Sequence, residues 1–222
     1  NSDNAFMPAT INPFYMVCYS YNGGETKISA DLSSYMNGYQ DPRREIYGVT
    51  STFDESENIT NGFHGLRVGN EYPIKTGQCY SNVKVEVSSP IMWMNAAEVM
   101  FLRAEAALRG WDTEKTPKAY YEAGIRLSFE QLGAKNVEDY LVSTNTPESY
   151  KDPLGTYSFS GTPSTISVQW KDGNFEESLE RIITQKWIAN FPLGLEAWAE
   201  FRRTGYPKLM GTASNKSGGD IE

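Results

Sequence analysis

The stretch from Ile183 to Leu209, ITQKWIANFPLGLEAWAEFRRTGYPKL, constrains the chain more than any other. Apolar residues recur at helical spacing on both sides of Phe191-Pro192. Proline removes a backbone donor and clashes with the preceding turn, so one continuous helix is excluded and two segments are required. The first starts at Asn174, which caps it, with Glu177 three residues on, and presents Leu179, Ile183, Trp187, Asn190 and Phe191 on its inner face. The second is expected to bury Leu195, Trp198, Ala199 and Phe201 and to stop at Thr204-Gly205-Tyr206-Pro207. Two of the five tryptophans sit here. Such a stretch reads as the packed centre of an all-α protein, with nothing catalytic on its face.

A second helical unit lies upstream. Between Pro90 and Trp111, Asn95 caps and Glu98 stands at the capping-box position. Ala97, Phe101, Ala104, Leu108 and Trp111 step by four and three along one stripe, and Gly110 closes it. Ala104, Ala106 and Ala107 leave room for a close neighbour. Thr116-Pro117 opens the next helix, with Tyr121, Ile125, Ser128 and Leu132 in line and Gly133 as stop. The short link from Trp111 to Thr116 makes the two helices antiparallel. A further short helix spans 136–142, capped by Asn136. The pair looks like one tetratricopeptide-type hairpin, without a second copy at that period.

The remainder is loop-rich. Residues 14–21, FYMVCYSY, read as an extended segment before the turn at Asn22-Gly23-Gly24, with Tyr15, Tyr19 and Tyr21 as a candidate ligand face or simply as packing. Ser29 caps a two-turn helix ending at Asn37-Gly38. Asp41-Pro42-Arg43-Arg44 begins a turn or helix, with Asp41 accepting from the following backbone. Residues 51–89 read as surface loops with one short strand at 83–87. Residues 143–173 read as an ordered surface excursion, and the tail after Leu209 as loose.

Chemistry is excluded more readily than assigned. The formal net charge of −8 and the lack of any Lys/Arg run argue against nucleic acid and anionic membrane surfaces. No apolar run approaches the roughly 20 residues that span a bilayer. His64 is the single histidine, and Cys18 and Cys79 the two cysteines, so no metal or cofactor is expected; a disulfide between the two is one option and unlinked thiols the other. Phosphate-loop, nucleophile-elbow and metalloprotease motifs are absent. Glu196 and Glu200 could be offered as a hydrolase pair, but they lie one helical turn apart, where Arg203 and Lys186 are the natural partners. Aromatics make up 13% of the chain, more than an ordinary core needs, and planar rings suit the C–H faces of sugars as well as interfaces.

Three ordered blocks carry a resemblance. Met94 to Ala107 (MNAAEVMFLRAEAA), followed by Arg109-Gly110-Trp111 and Tyr121 to Ile125, is similar to the tetratricopeptide-type region of SusD/RagB outer-membrane lipoproteins. Gln185 to Ala189 and Glu196 to Pro207 are similar to that family's C-terminal signature, and Asp41-Pro42-Arg43 resembles another of its motifs. The resemblance implies an all-α fold of tetratricopeptide-like helical hairpins with long irregular loops. It implies the C-terminal part of one SusD-like domain over 1–222, with a helical scaffold at about 90–142 and 174–209 and loops at 1–89 and 143–173. It further implies a non-enzymatic, cell-surface nutrient-binding protein of Bacteroidetes-type bacteria, usually for glycans. Such a protein caps a SusC-like TonB-dependent transporter in the outer membrane, and is held there by a lipid anchor outside this stretch. An interaction scaffold of the transporter complex, with no ligand site of its own here, is the alternative. The matching motifs are scaffold, so the expected ligand residues come from stacking and hydrogen-bonding chemistry: Tyr15, Tyr19, Tyr21, Asn22, Tyr72 and Trp170. Trp187 and Trp198 are expected to be buried scaffold.

Overall fold

The computed structural model of the chain describes residues 11–21, 24–51, 62–71, 79–111 and 113–216. Helices dominate them. α1 (Pro13–Tyr15) continues directly into a π-helical turn at Met16–Ser20. α2 (Ala30–Gly38), α3 (Arg44–Tyr47), α4 (Ala96–Leu108), α5 (Pro117–Leu132), α6 (Val137–Leu141), α7 (Phe175–Ala189) and α8 (Gly194–Thr204) follow. Among the described residues, β-structure is limited to isolated bridges such as Lys27 with Asn82 and Gly48 with Val83. The short strand expected at 83–87 is therefore not formed: Val85 turns back to bond Val83, and 87–88 is a turn.

The expected α4–α5 hairpin is present and its interlock is visible. Ala97, Phe101 and Ala104 are fully buried, and the Phe101 ring meets Tyr121 edge-on at 6.2 Å. Gly124 lies under that ring, where an added Cβ would come within 2.8 Å of Phe101. Gly133 ends α5 in the left-handed conformation at φ 68°, with Ala134 N–H reaching back to Phe129. Trp111, at the end of the proposed stripe, is instead 68% exposed, because the chain reverses at Gly110 before that turn reaches the neighbour. Asn136 starts α6 through a left-handed backbone at φ 62° rather than through a side-chain cap. Asn95 and Asn174 do cap, but Glu98 points to Lys186 at 3.2 Å instead of completing a capping box.

α7 is the central rod. From Ser178 to Ala189 every residue except Trp187 is buried, so it is packed all round rather than on one face. The loop 143–173 is ordered as expected but is not a surface feature throughout: Ser164, Ile166, Ser167 and Val168 are buried. Val168 and Ile166 offer their carbonyls to the hydroxyls of Tyr121 (2.6 Å) and Tyr39 (2.8 Å). The tail is also held to the body through residue 213, since Met210 N–H donates to buried Asp31 at 2.7 Å and Ala213 N–H to Val68 at 2.8 Å.

The final helix departs most from expectation. No residue of α8 is buried: Leu195 is 83% exposed, Trp198 59% and Phe201 39%. Its inward side is ionic. Lys186, with a side chain only 3% exposed, lies 3.2 Å from Glu98 and 2.9 Å from Glu200, and both Arg203 terminal nitrogens meet Glu105 at 2.6 Å. Glu200 thus takes the Lys186 and Arg203 partners that its helical spacing foretold, with Arg203 at 2.6 Å. Trp187 is half-buried edge-on to Tyr35 at 5.6 Å, as scaffold.

Candidate functional site

A cleft of about 750 Å³ opens between the end of α2, α3, the 62–64 segment and Glu148. Its walls follow from local rules. α2 ends when Asp41 N–H reaches back to Met36 at 2.9 Å, and Gln40 crosses the reversal at φ 52°, a left-handed conformation that a residue with a Cβ adopts at a cost. The Asp41 carboxylate then accepts the Arg43 N–H at 2.9 Å and starts the turn into α3. Asn37 joins two walls, donating to the Phe63 carbonyl at 3.0 Å and accepting from the Arg44 guanidinium at 3.0 Å. Ser51 N–H bonds the Gly62 carbonyl at 2.8 Å, and Ser81 brackets His64 through its own N–H and hydroxyl. Gly48 is required because the Phe63 ring lies directly over it.

The cleft rests on a buried ionic knot. The Arg43 guanidinium is fully buried and meets both Asp41 oxygens, at 2.9 and 2.6 Å. It also donates to Ser128 of α5 (2.9 Å), Tyr140 of α6 (3.1 Å) and Gln185 of α7 (3.0 Å). Its plane lies 4.9 Å from the Phe129 ring centre. Burial opposes the Arg43 charge, but the Asp41 carboxylate outweighs it and lifts the guanidinium well above its ordinary range. Burial likewise drives the Tyr140 hydroxyl far up, with the Asp41 charge adding to it. The Asp41-Pro42-Arg43 motif is thereby a clamp that presents Gln40 and Arg44 to the cleft on a rigid base.

Lined by Gln40, Arg44, Glu45, Thr50, His64 and Glu148, the cleft mixes donors and acceptors at its rim. Each sugar hydroxyl is both donor and acceptor, so such a lining suits a polyhydroxylated ligand, and the volume falls within the range of small-ligand sites. Among the described residues no cluster of His, Cys, Asp and Glu could hold a metal ion. No helix among them is long and apolar enough to cross a membrane.

The structure places the expected ligand residues elsewhere. Residues 14–20 are helical, not extended, so Tyr15 and Tyr19 fall one turn apart on the same side and stack at 5.0 Å. Asn12 sets this up, because its side chain accepts Phe14 N–H at 2.8 Å and Pro13 fits the first turn. The Tyr19 hydroxyl is committed to the Val83 carbonyl, while Tyr21 is 67% exposed just beyond. Trp170 is half-buried against Tyr121 at 5.3 Å, with its N–H on Asp172. Asn22 and Tyr72 lie outside the described residues. The cleft residues escaped sequence reasoning because Gln40, Glu45 and Glu148 converge only through tertiary contacts. The available signal was the Asp-Pro-Arg motif itself, which marks the wall.

A family model described as SusD-like, Susd and RagB outer membrane lipoprotein, matches residues 1–222. No curated protein matches the chain. A SusD homologue from Bacteroides ovatus is 49% identical, with a TM-score of 0.87 over 96% of this chain and 45% of its own. One from Bacteroides thetaiotaomicron is 45% identical, with a TM-score of 0.84 over 93% of this chain and 43% of its own. A chitin-binding SusD homologue from Flavobacterium johnsoniae is 41% identical, with a TM-score of 0.84 over 94% of this chain and 43% of its own. The chain spans less than half the length of each of these proteins. With the family match running over every residue, and the Asp41–Arg43 clamp and α4–α5 hairpin set within a backbone that these homologues share, the chain belongs to the SusD/RagB family.

Proposed function

We propose that this chain is the C-terminal part of a carbohydrate-binding protein of the bacterial cell surface, and that the cleft between α2 and α3 contributes to its ligand site. The observation that carries the reading is the cleft itself, with its rim of side-chain amides, carboxylates and a guanidinium on a rigid ionic base. Support for a glycan comes from the chitin-binding relative, and for an outer-membrane location from the family's description as lipoproteins. The protein binds and releases ligand without chemistry in this reading: Glu200, which a hydrolase pair would need, is held in scaffold ion pairs with Lys186 and Arg203. Handing the ligand to a SusC-like TonB-dependent transporter completes the proposed role. Tyr15 and Tyr21 form a second candidate contact surface for longer chains, where a half-buried ring and an exposed ring stand close in sequence.

Calorimetric titration of the whole protein against a panel of oligosaccharides, chitin oligomers included, tests the ligand. Binding of at least one saccharide, weakened by Arg44→Ala, is expected. Binding that is indifferent to Arg44→Ala moves the site away from the cleft, and a panel without any binder removes the glycan reading. Co-purification with an outer-membrane transporter tests the delivery role.

A further inference from the structure

The charged groups of the cleft are unevenly partnered. Asp41 is cancelled by Arg43, and neither of their side chains reaches solvent. Arg44 is the one Lys or Arg among the described lining residues. Its Nη1 donates to the Asn37 side chain at 3.0 Å, and its Nη2 stands 3.8 Å from the Glu45 carboxylate. The Lys84 ammonium goes to the Glu45 carbonyl, at 3.2 Å. The His64 ring is packed at Gly62, where an added Cβ would come within 2.7 Å of its Nε2.

Two carboxylates, Glu45 and Glu148, therefore share the cleft with one guanidinium that is already in use. The Glu45 side chain is 78% exposed. Among the described residues no Lys or Arg pairs with Glu148. Its backbone is fixed all the same: the Glu148 N–H donates to the Ser34 carbonyl at 3.1 Å, and the Glu148 carbonyl accepts from the Ser34 hydroxyl. A carboxylate ion only accepts hydrogen bonds, and an ammonium group only donates them, through the shorter bonds that opposite charges make. A formal net charge of −8 over the chain adds a field of the same sign as the two carboxylates. A uronate or sulfate ester would enter against that field. Tight recognition of such an anion takes a guanidinium fork free to close on two oxygens, and the Arg44 fork is partly spent on Asn37.

We infer that the cleft sorts saccharides by charge, an inference that rests on the cleft being the ligand site. It takes sugar units with a free amino group, charged as ammonium, ahead of neutral units, and it turns away uronates and sulfate esters. Glu148 and Glu45 receive the ammonium. Arg44 serves sugar hydroxyls with the N–H groups that Asn37 leaves to it.

Calorimetric titration of the whole protein with oligosaccharides of equal length tests this. The probes are an N-acetylglucosamine oligomer, its deacetylated form and a galacturonate oligomer, at a pH where carboxyl groups are ionised and sugar amines protonated. The deacetylated oligomer is expected to bind roughly three- to tenfold more tightly than the acetylated one, as exposed ion pairs of modest strength allow. That advantage is expected to shrink as added salt screens the charges. The galacturonate oligomer is expected to bind most weakly of the three. Glu148→Gln is expected to bring the ratio of the first two affinities towards one, whatever it does to either alone. A deacetylated oligomer that binds no better than the acetylated one overturns the inference, as does galacturonate binding as tight as either. A ratio that survives both Glu148→Gln and Glu45→Gln also overturns it. Acetylated-oligomer binding that is indifferent to Arg44→Ala is a different failure, because it removes the cleft as the site; binding that Arg44→Ala weakens, without preference for the amine, leaves the cleft and removes only its selectivity.

Discussion

Arg43 lies with two of its guanidinium nitrogens on the two oxygens of Asp41, at 2.9 and 2.6 Å, and neither side chain reaches solvent. Two residues from its partner in sequence, it also donates to Ser128, Tyr140 and Gln185, which come from three different helices. A lysine could not do this, because an ammonium has no planar fork to match the carboxylate. The pair is a junction through which a loop motif organises the scaffold.

Breaking that junction from one side is therefore costly. Arg43→Met strands a buried carboxylate and several hydroxyl and amide partners, and is expected to cost about 3–5 kcal/mol of stability. The double replacement Arg43→Met with Asp41→Leu removes both charges and is expected to cost clearly less. Urea unfolding monitored by tryptophan fluorescence measures both. Equal losses in the two variants contradict the assignment of the pair as a coupled unit.

Glu105 joins α4 to α8, and its response to acid follows from its neighbours. Burial would raise its pKa, but hydrogen bonds from Arg203 and Arg109, and their charges, hold it below the ordinary 4.5. A carboxyl whose folded-state pKa is depressed adds stability that is present in full above its unfolded pKa and is lost as pH falls through the folded value. Glu105→Gln is thus expected to destabilise at neutral pH and to flatten the loss of stability below pH 4.5. Thermal melts across that range check it. An acid limb of unchanged steepness would assign the loss to other carboxylates.

The helical scaffold was legible because its signals are local. Thr116-Pro117 and Gly133 bound α5 where helix-end chemistry places them, and the Phe101–Tyr121 contact follows from two stripes brought together by a short turn. What misled was periodicity without context. Val83 to Val87 alternates like a strand, yet among the described residues it has no partner beyond single bridges, and alternation stabilises nothing without a neighbouring ladder. Leu195, Trp198 and Phe201 share an apolar helix face, but the pattern does not say which side of the helix the body occupies. Here the charges decided it, since Glu200 and Arg203 find buried partners from two other helices. The cleft was hidden for a different reason, in that Gln40 and Glu148 are far apart in sequence and are brought together by tertiary bonds such as those of Ser34 with Glu148.

That join also limits what position 38 can carry. Gly38 closes α2 so near the backbone of Thr146 and Glu148 that an added Cβ would overlap main-chain atoms, which do not move aside as a flexible side chain would. Gly38→Ala is expected to cost about 1–3 kcal/mol through overpacking and to displace Glu148 from the cleft. Chemical denaturation reads the first effect and ligand titration the second. A neutral Gly38→Ala variant would mean that the 146–148 segment yields without cost.

Gln40 offers the sharpest separation of stability from binding. Its backbone sits at φ 52°, a conformation that costs roughly 1–2 kcal/mol for a residue with a Cβ, and its side chain lines the cleft. Strain of this kind is retained where the surroundings over-determine it, and it concentrates at ligand sites. Gln40→Gly relieves the backbone, although the more flexible unfolded chain takes back part of the gain. The expected result is an unfolding midpoint equal to or above that of the parent, together with weaker saccharide binding. Gln40→Ala keeps the strained φ and loses the amide, so it is expected to gain no stability and to bind as weakly as the glycine variant. Gln40→Gly with undiminished binding would show that the amide takes no part in the site; a midpoint below that of Gln40→Ala would show that the left-handed backbone carries no strain.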